Sequence, residues 1–593
     1  MLPACTTGAM DISGRRPGPS RRIFVKNIRV FLNFVFHYAG RAIMQDSQTA
    51  ENLTLVLTTL KHLLGPQVHR LRSENSAQET ATSCCYHLHG IFVRSGPEER
   101  ARIVAALEPA PDAGTLERLY RQIALLTVTR SARHVDEILD LLLSGYDPEA
   151  GWADLSPEQV LFQLWQFIYG FWQNAIEGGP GPDTWPKLRR TYGAAVECYR
   201  KVCGPDLEYI PFPERNRQLV VVLTNQMLPG MHQPTIDIQE YCEIIKSVFG
   251  LDVILMNTAD PPTEPLLPMS LGALGNYHKD LSEYGAIACG DAQIPFVQLS
   301  SGITTMAEAY VCARQIAAGR PLLVLSFGGT SPVADLCRLF TDVVAIPFGT
   351  YLPIAEPTLF GLPRAVGDSD RQMLAQIGLG EQDVVNMHYA YSLPETGSPR
   401  TRAELGIPAD AIAVAVCGMR LDTEVTEAFA AGLETVLADV PEAFFVFVGN
   451  FARYGQVAAA HPALAARSVW VGFTPDVRAV YAVCDAYANP PRGGGGASAA
   501  YAIADGVPAY TFPWGDVSVV VGPDFHVPDY AGLATALRRL RDEPAYREDM
   551  RAKAKAQYAT ISSREHMLRQ LMDSVITCLS ERKWSAEIQQ VTG

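Results

Sequence analysis

Four consecutive glycines, Gly493, Gly494, Gly495 and Gly496, follow Pro490, Pro491 and Arg492 and run into an Ala-rich stretch. Lacking Cβ atoms, such a loop lets its backbone N–H groups approach a ligand closely. The helix expected from about Ala497 to Ala504 points its positive end back at the loop. A glycine loop leading into a helix N-terminus is a general anion site, most often for phosphate. Arg492 adds a bidentate donor at the mouth and Ser498 a hydroxyl at the helix start. Without a ligand, the same stretch reads as a surface turn with Ser498 as a helix cap.

Groups able to move a proton stand earlier in the chain. His232, in NQMLPGMHQPT, follows an apolar run, and an imidazole there titrates near neutrality. Asp335, in SFGGTSPVADL, sits in the first turn of an expected helix. It serves there either as acid or base or as a complement to the helix dipole. Asn257 and Asp260 follow VILM, and Asn257 joins the substrate-binding candidates. His278 and His388 are weaker candidates for proton transfer. The DSD at Asp368–Asp370 reads as a solvated turn in a linker, so no acidic pair is placed to hold a metal. The crowded Cys84–Gly90 segment SCCYHLHG has no distant second ligand pair and reads as buried helix.

The elements that position these residues fall into regions of different texture. An arm, residues 1–45, is rich in Arg, Gly and Pro and holds IFVKNIRVFLNFVFHYAG. It reads either as an amphipathic helix on a membrane surface or as an over-extended start before Met44. Residues 46–212 read as successive helices, among them SPEQVLFQLWQFIYGFWQNA, with Ser156 as N-cap, Glu158 in the first turn and a dense aromatic face. This region is expected to be an accessory or docking domain. From 213 to 392 apolar runs such as QLVVVLT and PLLVLSF alternate with helical patterns. A second such succession occupies 393–593 and ends in helices expected to pack back on the first. The fold class expected is α/β, with two facing Rossmann-like domains of parallel sheet behind an all-α domain.

Composition bounds the partners. The chain has 593 residues, 48% hydrophobic and 19% charged, which describes a globular protein with ample core. A formal net charge of −14 argues against a general nucleic-acid binder. The 12 cysteines lie scattered in apolar runs without a CxxC pair, as in a reduced, cytosolic protein.

In order, AVCGMRL, FFVFVGN and VWVGFTPDVRAVYAVCDAYANPPRGGGGASAAYAIADGVPAY resemble the nucleotide-binding half of GT-B glycosyltransferases, above all the family-four type, over about residues 405–545. Arg420, Gly472, Phe473, Asp485, Pro491, Gly494, Gly496, Gly506 and Pro508 stand at that family's places. Three places depart from it. Val425 stands where a lysine is usual, and Gly493 and Tyr501 stand where two glutamates hold the donor sugar and the ribose. Arg492, at the same loop, is a candidate to replace the lysine's charge, although a guanidinium clamps a diphosphate differently. The helical front is similar in architecture to cytosolic bacterial transferases that glycosylate adhesins.

The resemblance implies transfer of a sugar from a nucleotide-diphosphate sugar, with UDP the expected nucleotide, to a glycan or protein acceptor. Negative charge grows on the leaving phosphate, and its stabilisation is the protein's main task. Arg420, Arg492, the amides of Gly493–Gly496 and Ser498 are expected to do this. Phe473 and Asn257 complete the substrate-binding set. His232 and Asp335 are the catalytic candidates from the other half. No cofactor and no metal is expected, and peripheral membrane or protein contact falls to the arm and the helical region. Arg420 also reads as an interdomain salt-bridge residue. A non-catalytic homologue acting as a scaffold is the alternative of a different class, and a nucleotide-sugar epimerase on the same fold is a third.

Overall fold

The computed structural model describes residues 89–592 apart from 91, 94, 111, 174, 231, 261–279, 282–283, 300–304, 395–396 and 398. The arm, Met44, most of SCCYHLHG and His278 lie outside the described residues.

Among the described residues from Pro97 on, the chain opens with helices α1 (Pro97–Leu107), α2 (Thr115–Thr129), α3 (Arg133–Ser144), α4 (Pro157–Trp172) and α5 (Thr184–Cys203). Ser156 caps α4 through a capping box whose second partner is Gln159. A two-residue antiparallel pair, Tyr146–Asp147 with Gly151–Trp152, interrupts the helices.

The larger sheet contains β1 (Asn216–Thr224), β2 (Asp252–Asn257), β3 (Tyr284–Cys289), β4 (Ala292–Gln298), β5 (Pro321–Phe327), β6 (Val343–Ile346), β7 (Leu359–Leu362) and β8 (Val384–Asn386). Their order is β8-β7-β6-β5-β1-β2-β4-β3, parallel except for β3, which pairs antiparallel with β4. That hairpin turns at Gly290 and Asp291, a short-range signal the alternation of strand and helix obscured. Helices α6 (Gln233–Ser247), α7 (Met306–Ala318), α8 (Pro332–Cys337) and α9 (Asp368–Ala375) belong to this region.

The apolar run of β1 is buried on both faces, as parallel strands require. Val220 and Val222 join a core with Ile238 and Cys242 of α6 and with Leu568 and Leu571 of the chain's last helix. Val221 and Leu223 face the other way and share one core with α1–α5. The leading helices and that face of the sheet therefore have a common interior. Arg189 of α5, fully buried, donates to the carbonyl of Ala355 at 2.6 Å and to that of Pro353.

The smaller sheet contains β9 (Ile412–Gly418), β10 (Ala443–Gly449), β11 (Ser468–Gly472), β12 (Ala486–Ala488) and β13 (Ala509–Tyr510), all parallel in the order β11-β10-β9-β12-β13. Counted along the chain this is 3-2-1-4-5, the doubly wound order. Around it lie α10 (Leu421–Glu424), α11 (Glu427–Asp439), α12 (Gly496–Ala504), α13 (Gly515–Val521), α14 (Tyr530–Asp542), α15 (Pro544–Thr560) and α16 (Arg564–Thr592). Two Rossmann-like sheets in tandem, the second returning its last helix to the first, make the GT-B architecture.

The expected linker turn at Asp368–Asp370 is instead the start of α9. Asp370, 4% exposed, accepts from Gly367 N–H at 2.8 Å and pairs with Arg364. Its carboxylate satisfies orphan donors at a helix start rather than facing water.

Candidate functional site

In an open α/β sheet a ligand binds outside the carboxyl ends of the strands, where the strand order reverses. In the smaller sheet that point lies between β9 and β12. Arg420 follows β9 and the glycine loop follows β12, so the two flank it. Gly495 takes φ +105°, which favours glycine, and caps α12 without a side-chain bond. The first amides of α12 are left without helical partners at the loop.

Arg420 is half-exposed, and its Nη2 donates to Glu424 Oε1 at 2.9 Å. Arg492 is placed otherwise than the sequence leads one to expect. It is 4% exposed, and its guanidinium donates inward to Asn489 Oδ1 at 3.0 Å, to the carbonyl of Cys417 at 2.7 Å, to the Tyr487 hydroxyl at 2.9 Å and to Glu424. These bonds turn it into a strut beneath the loop, away from its mouth. Ser498 is the third residue of α12 rather than its cap. Phe473, 52% exposed, follows the carboxyl end of β11.

The larger sheet reverses order between β5 and β1. His232 stands beyond β1 at the start of α6, its Nδ1 2.8 Å from Thr235 Oγ1, which accepts from Leu228 N–H at 2.9 Å. Burial, and then the nearby Arg420 charge, push the imidazole down to about 4. The expectation that it titrates near neutrality is corrected: the ring is neutral at pH 7 and acts as a hydrogen-bonding group. Gln233, the next residue, accepts from the Tyr501 hydroxyl of α12 at 2.9 Å, which sets this helix start against the half that carries the glycine loop.

Two further candidates are withdrawn from the cleft. Asp335 is 1% exposed, accepts from the Tyr192 hydroxyl at 2.6 Å and from Glu356 N–H at 2.8 Å, and is closed in beneath α5. Burial, reinforced by Glu356, raises its carboxyl to about 7. A near-neutral carboxyl sealed from solvent cannot exchange a proton with a substrate, so its partners make it a structural group. Asn257 is fully buried and donates to Gln298 Oε1 at 2.9 Å, while its own Oδ1 accepts from Ala259 N–H at 3.1 Å. His388 lies beside His566, with ring centroids 6.1 Å apart, and burial lowers it. Asp260 is buried and accepts from Thr258 Oγ1 at 2.5 Å.

Three residues the sequence did not single out belong here. Asp516, at the start of α13, donates its N–H to the carbonyl of Gly493 at 2.8 Å and accepts from Thr350 N–H at 2.9 Å. It thus joins the glycine loop to the segment after β6. Burial raises its carboxyl to about 7, against the hydrogen bond from Thr350. Glu424 receives both arginines. Trp172, the last residue of α4, lies with its ring 4.4 Å from Arg420 Cζ and against Gly493 and Gly494. The carboxylate after the last strand was a readable signal, whereas nothing in the aromatic run before Trp172 separates it from core. Among the described residues, no three His, Cys, Asp or Glu side chains stand together as a metal site, and no helix is long and apolar enough to cross a membrane.

No family model and no curated protein matches the sequence. Among solved structures, Anabaena HepE in complex with UDP is 14% identical, with 60% of this chain and 99% of that chain covered at a TM-score of 0.44. The Thermobaculum terrenum O-GlcNAc transferase is 12% identical over 90% of this chain and 99% of its own, at 0.47. The pneumococcal O-GlcNAc transferase GtfA, in complex with UDP and GlcNAc, is 11% identical over 61% and 99%, at 0.39. The strand orders and the cleft carry the fold assignment, and the chain is similar in that fold to GT-B glycosyltransferases.

Proposed function

We propose that the chain is a glycosyltransferase of hexosyl type, moving a sugar from a nucleotide-diphosphate sugar, UDP-linked in the first instance, to a glycan or protein acceptor. The observation that carries this reading is the convergence of Arg420 and the Gly493–Gly496 loop at the switch point of a 3-2-1-4-5 sheet, with Gln233, the residue after His232, bonded across to Tyr501 of α12. Charge growing on the leaving diphosphate would meet the Arg420 guanidinium and the orphan amides of α12. These groups are already cationic or dipolar, so the reaction is proposed to need no metal. His232, neutral, would steady the sugar's hydroxyls, and Asp516 is a carboxyl beside the loop at Gly494. The nine described cysteines are free thiols, which supports action in a reducing compartment such as the cytosol.

Incubating the purified protein with a panel of sugar nucleotides and following nucleoside diphosphate release tests the reading. Release with one donor, undiminished by EDTA, is expected. A second reading, a non-catalytic scaffold, draws support from Tyr501, which stands where a ribose-binding glutamate is usual. Its hydroxyl donates to Gln233 Oε1 at 2.9 Å, tying the two halves together. Absence of release with every donor would favour that reading.

A further inference from the structure

A glycine loop is bare so that something can lie against it, and here that something is an indole of the same chain. A Cβ added at Gly493 would lie 3.3 Å from Trp172 Cδ1, and one at Gly494 would lie 3.5 Å from Trp172 Cζ2 and 3.6 Å from Arg420 Nη2. Trp172 therefore lies against the loop beside the Arg420 guanidinium, with Arg420 Cζ 4.4 Å from its ring, and fills space next to both. Its position at the C-terminus of α4 means that the leading helices, whose core is shared with the larger sheet, reach into the switch point of the smaller one.

The contact is chemically one-sided. An indole has one N–H donor and no acceptor, so it gives neither the α12 amides nor Arg420 a hydrogen-bond partner. Its π face attracts the guanidinium, but far less than an anion does. A diphosphate offers acceptor oxygens to both groups and needs the same space.

We propose that Trp172 holds the place of the donor's diphosphate and is displaced when the donor binds, so that the leading helices set the affinity of the cleft for it. This rests on the glycosyltransferase reading above. Each donor must then break the Trp172–Arg420 contact before Arg420 can engage phosphate, and apparent affinity falls by the strength of that contact.

Calorimetric titration of UDP into the full-length protein, Trp172→Ala and Trp172→Phe tests it, with thermal melts of each to confirm folding. Trp172→Ala is expected to bind UDP roughly two- to thirty-fold more tightly than wild type, the range of one cation–π contact. Trp172→Phe, which keeps a smaller face, should fall between the two, and carries the test alone should the Ala variant not fold. Equal or weaker binding by the variants, with wild type binding UDP, overturns the proposal and leaves the donor reading standing, Trp172 being then a bystander or a wall of the site. No binding of UDP by wild type or by either folded variant overturns the donor reading as well.

Discussion

Glu424 holds two arginines, Arg492 through Oε2 and Arg420 through Oε1. The inner pair is sealed, with both side chains 4% exposed, whereas Arg420 is 40% exposed. One carboxylate thus divides the two guanidiniums into a buried support and a cleft-facing charge. The difference between Arg492 and Arg420 is one of surroundings, and it separates what their substitution does.

Arg492→Ala is expected to lower stability. It strips the loop of four hydrogen bonds and leaves Glu424 buried with one partner instead of two. Breaking a buried pair from one side costs about 3–5 kcal/mol, and the remaining Arg420 contact points to the lower end. Urea denaturation reads this directly. A variant as stable as wild type would show that the loop holds its shape without the strut.

Arg420→Ala is expected to leave stability within about 0.5 kcal/mol, since the guanidinium itself is 40% exposed and Glu424 keeps Arg492 as its partner. UDP affinity should fall by roughly tenfold, the low end of a lost charge-assisted contact, because release of Trp172 offsets part of the loss. Calorimetry against wild type checks it, and unchanged affinity would remove Arg420 from the site.

How far the sequence reaches is clear from these residues. The succession of apolar runs and helical patterns is a local property, so the two Rossmann-like halves are legible in it. So is the loop's place between a strand and a helix, because Gly and Pro punctuate the chain. The direction in which Arg492 points is not local: it depends on Glu424, 68 residues earlier, and on the end of β9. Trp172 belongs to an aromatic run that reads as core, and most of that run is core. Only the packing of α4 against the other half sets its last ring at the loop. Asp335 and Asn257 have the right types at strand ends, but α5 and Gln298 cover them from elsewhere in the chain.

Asp335→Asn should change the pH dependence of stability and not the cleft. The folded-state carboxyl is raised to about 7 from an ordinary value of 3.8, so the native state holds its proton more tightly than the unfolded chain. The stability this contributes is fully present below about 4 and is lost as pH rises through 7. The asparagine keeps an acceptor for Glu356 N–H and does not ionise. Melting curves from pH 5 to 8 should therefore decline less steeply in Asp335→Asn, with UDP affinity unchanged. An identical decline in both proteins would assign it to other groups, Asp516 among them.

His232→Ala is the test of the side of the cleft opposite the loop. The ring stands beyond β1 at the start of α6, within reach of the Arg420 charge, where a donor sugar would lie if the diphosphate sat at the loop. Being neutral at pH 7, it would hydrogen-bond the sugar rather than balance the phosphate charge. Its removal is expected to lower kcat by about tenfold or more, the worth of one bond of about 1.5 kcal/mol made in the transition state, with UDP affinity nearly unchanged. The pH profile discriminates further. A lowered histidine pKa means the unfolded chain binds the proton more readily, so the stability contribution is complete above 6.5 and is lost as pH falls toward 4. Activity should accordingly show no His232-dependent inflection between pH 6 and 7. An inflection there that vanishes in His232→Ala would mean that the ring titrates near neutrality in the working enzyme and acts as a base. Loss of UDP affinity together with stability would instead make His232 a cap for α6 and no part of the reaction.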